Sequence, residues 1–258
     1  MEKHPYAIQF RMRGKPRDII REKAFEIYKQ FGLGSAINRR FVPHVLLFGP
    51  FQTNSIPDVV RVISEIGSGY EAMYYQMNGY ISVDKYSGTF LTLKKRKKAL
   101  AVKITPSEEV VKLRKEISNR LLDITKPANR RTEKSDEYKF YAKITQGEID
   151  AKFGEIWDFL KTQPVSLPGM FYRITLLGYN RIVYEYDLVQ KRLLNRHQAL
   201  SGRLWKDTYM MSQQQKNTQR PLDAASTIAF YECPDCHNPN IQNMPDGSAL
   251  CSTCGFTS

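Results

Sequence analysis

Four cysteines near the end of the chain form two pairs that could hold one metal ion. They are Cys233, Cys236, Cys251 and Cys254, arranged as two Cys-x-x-Cys knuckles with 14 residues between them. A two-residue gap lets both thiolates of a knuckle reach the same tetrahedral ion, and a hairpin between the knuckles would bring the pairs together. Because four thiolates complete the coordination shell, the pattern predicts a zinc ribbon with one structural Zn²⁺ and no open catalytic position.

The same four cysteines could instead form two disulfides or hold iron as in rubredoxin. A cytoplasmic chain argues against disulfides. His237 follows Cys236 directly, but the four sulfurs already fill the shell and leave no place for it. A ribbon of this size buries little apolar surface, so we expect metal binding to supply its stability and a chelator to unfold it.

The chain is strongly basic. It carries 39 lysines and arginines against 26 acidic residues, a net charge of +13 at pH 7. A field of that sign attracts polyanions, so RNA, DNA and acidic ribosomal surfaces are candidate partners, and an ordinary solvated basic surface is the alternative. No stretch approaches the roughly 18 apolar residues of a membrane span, and no basic-then-apolar signal peptide opens the chain. These features predict a cytoplasmic protein without membrane contact.

Strands and helices are expected to alternate in two comparable halves. In the first half, apolar periodicity predicts a strand over 6–13, a helix to Gly32, a strand over 43–48 and a helix over 56–66. A meander of three strands over 73–83, 89–93 and 99–104 follows. Thr105, Pro106 and Glu108 have the spacing of a capping box, which predicts a helix to about residue 122. Residues 126–136 are polar and basic, as in a linker or exposed loop.

The second half repeats this order. Its predicted elements are a strand over 140–145, a helix over 149–160, strands over 170–177 and 182–190, and a helix over 196–211. The alternation predicts an α+β fold of two lobes. We therefore divide the chain into a main domain over 1–211, a linker over 212–227 and the zinc ribbon over 228–258.

Residues 42–51, Val-Pro-His-Val-Leu-Leu-Phe-Gly-Pro-Phe, resemble a motif of the two-histidine phosphoesterases. In their 2′-5′ RNA ligase-like branch the motif is His-x-Thr/Ser-Leu, often flanked by proline and Gly-Pro-Phe, and the resemblance covers most of residues 5–200. It implies two pseudo-symmetric lobes with antiparallel sheets around a central cleft. It also implies an activity in which one histidine is a general base and the other a general acid on a 2′,3′-cyclic phosphate or 2′-5′ linkage.

This chain departs from the family pattern in both motifs. His44 keeps the first histidine position, but Leu46 occupies the hydroxyl position, while Tyr141 and Lys143 occupy the corresponding positions of the second motif. Loss of one proton-transfer group should lower the rate by roughly two to four orders of magnitude. Tyr141 could still act as the acid if Lys143 lowered its pKa, with Lys143 also holding phosphate. We favour the alternative, in which His44 is a packed remnant in a non-catalytic cleft.

Other residues are candidate RNA contacts by charge or stacking. Arg173 and Thr175 share one face of a strand and could hold a phosphate. Tyr74, Tyr75 and Tyr80 could stack on bases, although aromatic residues on strands more often belong to the core. The remaining candidates are basic residues before the first motif and at a predicted hairpin tip: Arg39, Arg40, Lys94, Lys95, Arg96, Lys97 and Lys98.

Taken together, the sequence predicts an RNA-binding or ribonucleoprotein-binding protein on a 2′-5′ RNA ligase-like fold with lost or reduced catalysis. One alternative is an active RNA 2′,3′-cyclic phosphodiesterase or 2′-5′ RNA ligase that uses His44. A second is a ribosome-associated or complex-forming protein that docks through the zinc ribbon. Turnover of an RNA substrate would distinguish the enzyme from the two binding proteins. Binding that weakens steeply with salt would distinguish phosphate contacts from docking on a protein.

Overall fold

The protein folds as an α+β domain built on a large antiparallel sheet. The computed structural model describes residues 5–33, 42–87, 95–145 and 149–218, together with Cys233, 241–243 and 249–251. In that part of the chain no helix is long and apolar enough to cross a membrane.

The elements of the first half alternate between strand and helix. In chain order they are β1 (Tyr6–Arg11), α1 (Gly14–Phe31), β2 (His44–Gln52), α2 (Ile56–Ser68), β3 (Met73–Ser87), β4 (Lys95–Pro106), α3 (Glu108–Leu121), β5 (Lys126–Pro127) and α4 (Arg130–Glu133).

The second half adds five strands and ends in a helix of 17 residues, which precedes the cysteine-rich segment. Its elements are β6 (Tyr141–Lys143), a 3₁₀ turn (Asp150–Lys152), α5 (Phe153–Lys161), β7 (Ser166–Phe171), β8 (Arg173–Gly178), β9 (Arg181–Asp187), β10 (Arg192–Asn195), α6 (Arg196–Ala199) and α7 (Gly202–Thr218). A separate hairpin of β11 (Ile241–Asn243) and β12 (Ala249–Cys251) follows.

One sheet joins the strands of both halves. Its order is β10-β9-β8-β1-β2-β6-β4-β3-β7, and β5 pairs with the far end of β2. The halves meet where Val45 of β2 lies opposite Ala142 of β6. Only Tyr172 separates β7 from β8, although the two strands are far apart in the sheet order. The sheet must therefore curl, and Phe171 of β7 stacks on Phe10 of β1 at 4.2 Å between ring centroids.

Local sequence signals set several element boundaries. Gly32 ends α1 in the left-handed conformation, with φ of 67°, which glycine adopts without steric cost. Ser55 caps α2 by accepting a hydrogen bond from the Asp58 backbone. The predicted helix start at Thr105 is wrong, because Thr105 still pairs with Gln76 in the sheet and α3 begins at Glu108.

Two segments predicted as linkers contain regular structure. Residues 126–136 were predicted as exposed, yet they form β5 and α4, and Glu133 is buried. Pairing of β5 with β2 holds this segment against the domain. At the other end of the domain α7 continues to Thr218, so the first seven residues of the predicted 212–227 linker are helical.

Candidate functional site

The two motif segments lie side by side at the centre of the sheet. Because Val45 is opposite Ala142 in an antiparallel pair, the register sets His44 beside Lys143 and Leu46 beside Tyr141. Val45 and Ala142 are buried, whereas the other four residues are half-buried. Side chains alternate between the two faces of a strand, so these four residues share one face of the sheet.

Cationic residues extend this row across neighbouring strands. Arg11 of β1 lies opposite His44, and Lys103 of β4 lies opposite Tyr141. We call this row the central stripe; its members are Arg11, His44, Leu46, Lys103, Tyr141 and Lys143. The positive charges of lysine and arginine attract phosphate groups. The stripe can therefore hold a phosphodiester next to the His44 imidazole.

The His44 ring is held as a neutral imidazole. Its Nδ1 lies 3.0 Å from the Val42 carbonyl oxygen, which can only accept, so Nδ1 carries the proton. Burial lowers the pKa of His44 and Lys143 lowers it further, while the bond to Val42 acts to raise it. At neutral pH the lone pair therefore sits on Nε2, the nitrogen that can accept a hydrogen bond from a hydroxyl.

Tyr141 does not have the lowered pKa that an acid role would require. Burial raises the pKa of Tyr141 above its ordinary value, so the condition for the acid role, a pKa lowered by Lys143, is not met. The phenol stays protonated at neutral pH and can donate a hydrogen bond, but it is a weaker acid than a free tyrosine.

Arg173 and Thr175 share a face as predicted, but the structure gives them buried partners instead of exposure to RNA. Arg173 donates from Nε to Asp187 Oδ2 at 2.8 Å, and Thr175 donates to Glu185 Oε1 at 2.9 Å. Their exposed fractions are only 4% and 0%. Helix α7 covers Arg173, whose Nη2 also donates to the Leu204 carbonyl at 2.9 Å. Contact of these two residues with RNA is therefore corrected to a structural role.

A cluster of opposite charges, which the sequence reasoning missed, surrounds Glu185. Its carboxylate accepts hydrogen bonds from Arg11 at 3.0 Å and Arg13 at 3.2 Å, and lies 3.6 Å from Arg173 Nη1. Burial acts to raise the pKa of Glu185, but Arg13, Arg11 and Arg173 outweigh it and the pKa is lowered. We call these residues, with Asp187, the arginine cluster. Three cations and two anions leave the cluster one positive charge, and Arg11 belongs both to this cluster and to the central stripe.

The other predicted RNA contacts are only partly described. Residues 95–98 belong to β4 and pair with 84–87 of β3 as the last described part of a long two-stranded ribbon. Arg39, Arg40 and Lys94 lie outside the described residues. Of the tyrosines, Tyr75 is a core residue at 1% exposure, Tyr80 is half-buried, and Tyr74 is 48% exposed.

A large open cavity lies beside the central stripe. Its volume is about 760 Å³, within the range typical of ligand sites, and Lys103 of the stripe lines it. Lys115, Lys139 and Trp157 line other parts of its wall. The cavity therefore continues the basic surface from the stripe towards α3 and α5.

Two of the four cysteines fall within the described residues. Cys233 and Cys251 are both fully buried, pack in one cluster and are not disulfide-bonded. The predicted hairpin between the knuckles is present as β11 and β12, with Cys251 opposite Ile241. Cys236 and Cys254 lie outside the described residues.

The fold and the site define an α+β protein with a basic, histidine-containing stripe at the centre of an antiparallel sheet. No protein-family model matches the chain. No curated protein matches it at a significant level either.

Proposed function

We propose that this protein binds RNA, alone or in a ribonucleoprotein, through the central stripe of a 2′-5′ RNA ligase-like fold whose catalysis is lost or strongly reduced. The observation that carries the proposal is the Val45–Ala142 register, which sets His44 directly beside Lys143. A neutral imidazole next to a cation can contact a ribose hydroxyl and the adjoining phosphate together.

The order of the elements supports the two-lobe arrangement of that family. Apart from the short β5 and α4, the sequence β1-α1-β2-α2 is matched by β4-α3-β6-α5. In the sheet, β2, β1, β8 and β9 extend to one side of the Val45–Ala142 pair, and β6, β4, β3 and β7 to the other. A pseudo-twofold axis through that pair would relate His44 to Tyr141 and Leu46 to Lys143, the correspondence that the two motifs require.

Binding is favoured over catalysis because the proton-transfer groups are incomplete. Leu46 has no hydroxyl, and Tyr141 is a poor acid because burial raises its pKa. Lys143 instead adds a charge where the family has a hydroxyl, which strengthens phosphate binding without supplying a second histidine. The net charge of +13 favours a polyanionic ligand.

Reversing the charge of Lys143 should weaken RNA binding more than reversing an equally charged residue elsewhere. We expect Lys143→Glu to weaken binding of a short single-stranded RNA by roughly tenfold at low salt and to reduce the salt slope by about one. Lys112→Glu is the matched control, since Lys112 lies on α3 with its side chain 67% exposed. Both variants have the same net charge. Fluorescence anisotropy measures the binding. If both variants weakened RNA binding equally, only the overall charge of the protein would matter, and not the position of Lys143.

A second candidate is a slow RNA 2′,3′-cyclic phosphodiesterase or 2′-5′ RNA ligase. The neutral His44, with its lone pair on Nε2, favours it because that nitrogen can remove a proton from water or a ribose hydroxyl. Lys143 would stabilise charge on the phosphoryl oxygens. We expect such turnover to be two to four orders of magnitude slower than with two histidines, and to require His44.

We also propose that Cys233, Cys236, Cys251 and Cys254 hold one structural Zn²⁺ and that this ribbon is the surface for any protein partner. Purified protein should contain about one zinc per chain. A strong chelator should remove it and unfold residues 228–258 without shifting the main thermal transition of the α+β domain. Metal analysis with calorimetry tests this, and Cys251→Ser should release zinc in the same way. Iron in place of zinc, or a chelator-insensitive ribbon, would contradict it.

A further inference from the structure

A second cavity, of about 310 Å³, lies where α1 begins, beside β7 and α7. Its walls carry Tyr74, Tyr172 and Tyr209 with the apolar Met170, and Arg13 and Lys15 stand at its edge. We call it the tyrosine pocket. Its volume is at the lower end of the range of small-molecule sites, about 300–1,000 Å³.

Close packing shapes the inner wall of the tyrosine pocket. A Cβ on Gly169 would lie 2.3 Å from Tyr75 Cζ, so only glycine lets the Tyr75 ring pack against β7 at this point. Tyr75 in turn stacks on Phe171 at 4.1 Å. Tyr209 is almost fully buried and meets Tyr172 edge to face. The wall is thus held in place before any ligand arrives, and Tyr74, whose hydroxyl donates to Gln76 Oε1 at 2.7 Å, leaves 48% of its surface exposed beside it.

The charges at the edge of the pocket favour an anion. The first turn of α1 has no acidic residue, and its N-cap Arg13 makes no side-chain hydrogen bond to the helix. A smaller cavity shares Arg13, Met170 and Tyr172 with the tyrosine pocket, and Arg173 lines it. Arg173 Nη1 is buried there without a hydrogen bond, although it lies 3.6 Å from Glu185 Oε2. Because Glu185 already faces Arg173, the positive charge available to a ligand of the tyrosine pocket is that of Arg13 and Lys15.

We infer that the tyrosine pocket binds one nucleotide of the RNA, with the base among the tyrosines and the phosphate at Arg13 and Lys15. Base stacking on aromatic side chains is tolerant of sequence and is the usual mode of single-strand recognition. This inference rests on the proposed function and adds a second subsite to it.

The backbone of β1 connects the two subsites. Arg11 lies opposite His44 in the central stripe, and Arg13 lines the tyrosine pocket. These residues are two apart in extended backbone, a separation of about 6–7 Å along the chain. Both arginines bind Glu185, so their guanidinium groups are held near one another. One strand of RNA can therefore contact the stripe and the pocket with neighbouring nucleotides.

Isothermal titration with adenosine monophosphate tests the pocket directly. We expect the nucleotide to bind more tightly than adenosine or inorganic phosphate, because stacking and charge act together. Tyr74→Ala should weaken this binding by roughly tenfold, and Lys15→Glu by a similar factor. Tyr28→Ala is the control, since Tyr28 is 40% exposed on the distant part of α1. Circular dichroism should show that all three variants are folded.

Binding of the nucleotide no tighter than its two parts, or binding unaffected by both Tyr74→Ala and Lys15→Glu, would overturn the inference. Anisotropy with a short RNA separates this failure from failure of the proposed function. If Lys143→Glu still weakens RNA binding selectively, the stripe stands and only the pocket is refuted. If the nucleotide binds as described but Lys143→Glu acts no more strongly than Lys112→Glu, the pocket stands and the stripe is refuted.

Discussion

Glu185→Ala should lower the free energy of unfolding by roughly 3–5 kcal/mol, because it leaves buried arginine side chains without their counter-charge. Glu185 is 0% exposed and is the shared partner of Arg11, Arg13 and Arg173. Thr175 would lose its acceptor as well. Urea denaturation measures the loss. Glu71→Ala is the control, since Glu71 is 62% exposed in its pair with Lys191, and surface pairs contribute little.

The Glu185 contribution should also depend on pH. Because the folded-state pKa of Glu185 is lowered, its stabilising effect is present above the unfolded pKa and is lost as the pH falls towards the folded one. Glu185→Gln should therefore reduce the acid sensitivity of unfolding while keeping most of the side-chain volume. A Glu185→Ala protein as stable as the wild type would show that the arginine cluster does not form.

The second large effect is expected at Glu133, the buried residue of α4. Glu133 accepts a hydrogen bond from the Gly49 backbone at 3.1 Å and pairs with Arg114 at 3.4 Å, with both side chains only 3% exposed. Glu133→Ala would leave Gly49 N–H without its acceptor and, above about pH 7 where Glu133 is ionised, would leave Arg114 as an uncompensated buried charge. We expect a loss of roughly 3–5 kcal/mol in chemical denaturation. Asp136→Ala, at the exposed pair with Lys115, should change stability little.

The pH dependence of Glu133 has the opposite sign to that of Glu185. Burial raises the pKa of Glu133 to about 7, although Gly49 and Arg114 act to lower it. The folded state then holds a proton that the unfolded state has released, so stability falls as the pH rises from the unfolded pKa towards 7. Glu133→Gln, which keeps an acceptor for Gly49, should flatten this part of the profile. An unchanged profile would place the titration on another group.

Local periodicity was enough to locate most helices and strands. The end of α1 at Gly32 and the start of α2 after Ser55 follow from residues within one turn of each boundary. The resemblance to the two-histidine family predicted that His44 and residues 140–144 line one cleft. Their strands are adjacent in the sheet. These features depend either on short-range backbone preferences or on a known motif.

Features that depend on distant contacts were not visible. Residues 126–136 are polar and basic, and only the pairing of β5 with β2 and the contact of Glu133 with Arg114 bury part of them. Arg173 and Thr175 were correctly assigned to one face, but Arg173 is buried against α7 and Thr175 against Glu185 of β9. Glu185 and Asp187 are also two apart on a strand. Their spacing was the sequence feature that could have indicated an acidic partner for Arg173. The tyrosine pocket combines β3, β7, α1 and α7 and has no local signature.

The central claim is that the stripe binds RNA with little or no chemistry. Its most direct test is incubation of the zinc-loaded protein with a short RNA ending in a 2′,3′-cyclic phosphate, following retained RNA and opening of the cycle in parallel with His44→Ala. We expect the RNA to be retained by both proteins with the cyclic end intact or opened only slowly. Rapid opening by the wild type that His44→Ala abolishes would contradict this account and identify an enzyme. No retention of RNA by either protein would refute binding altogether.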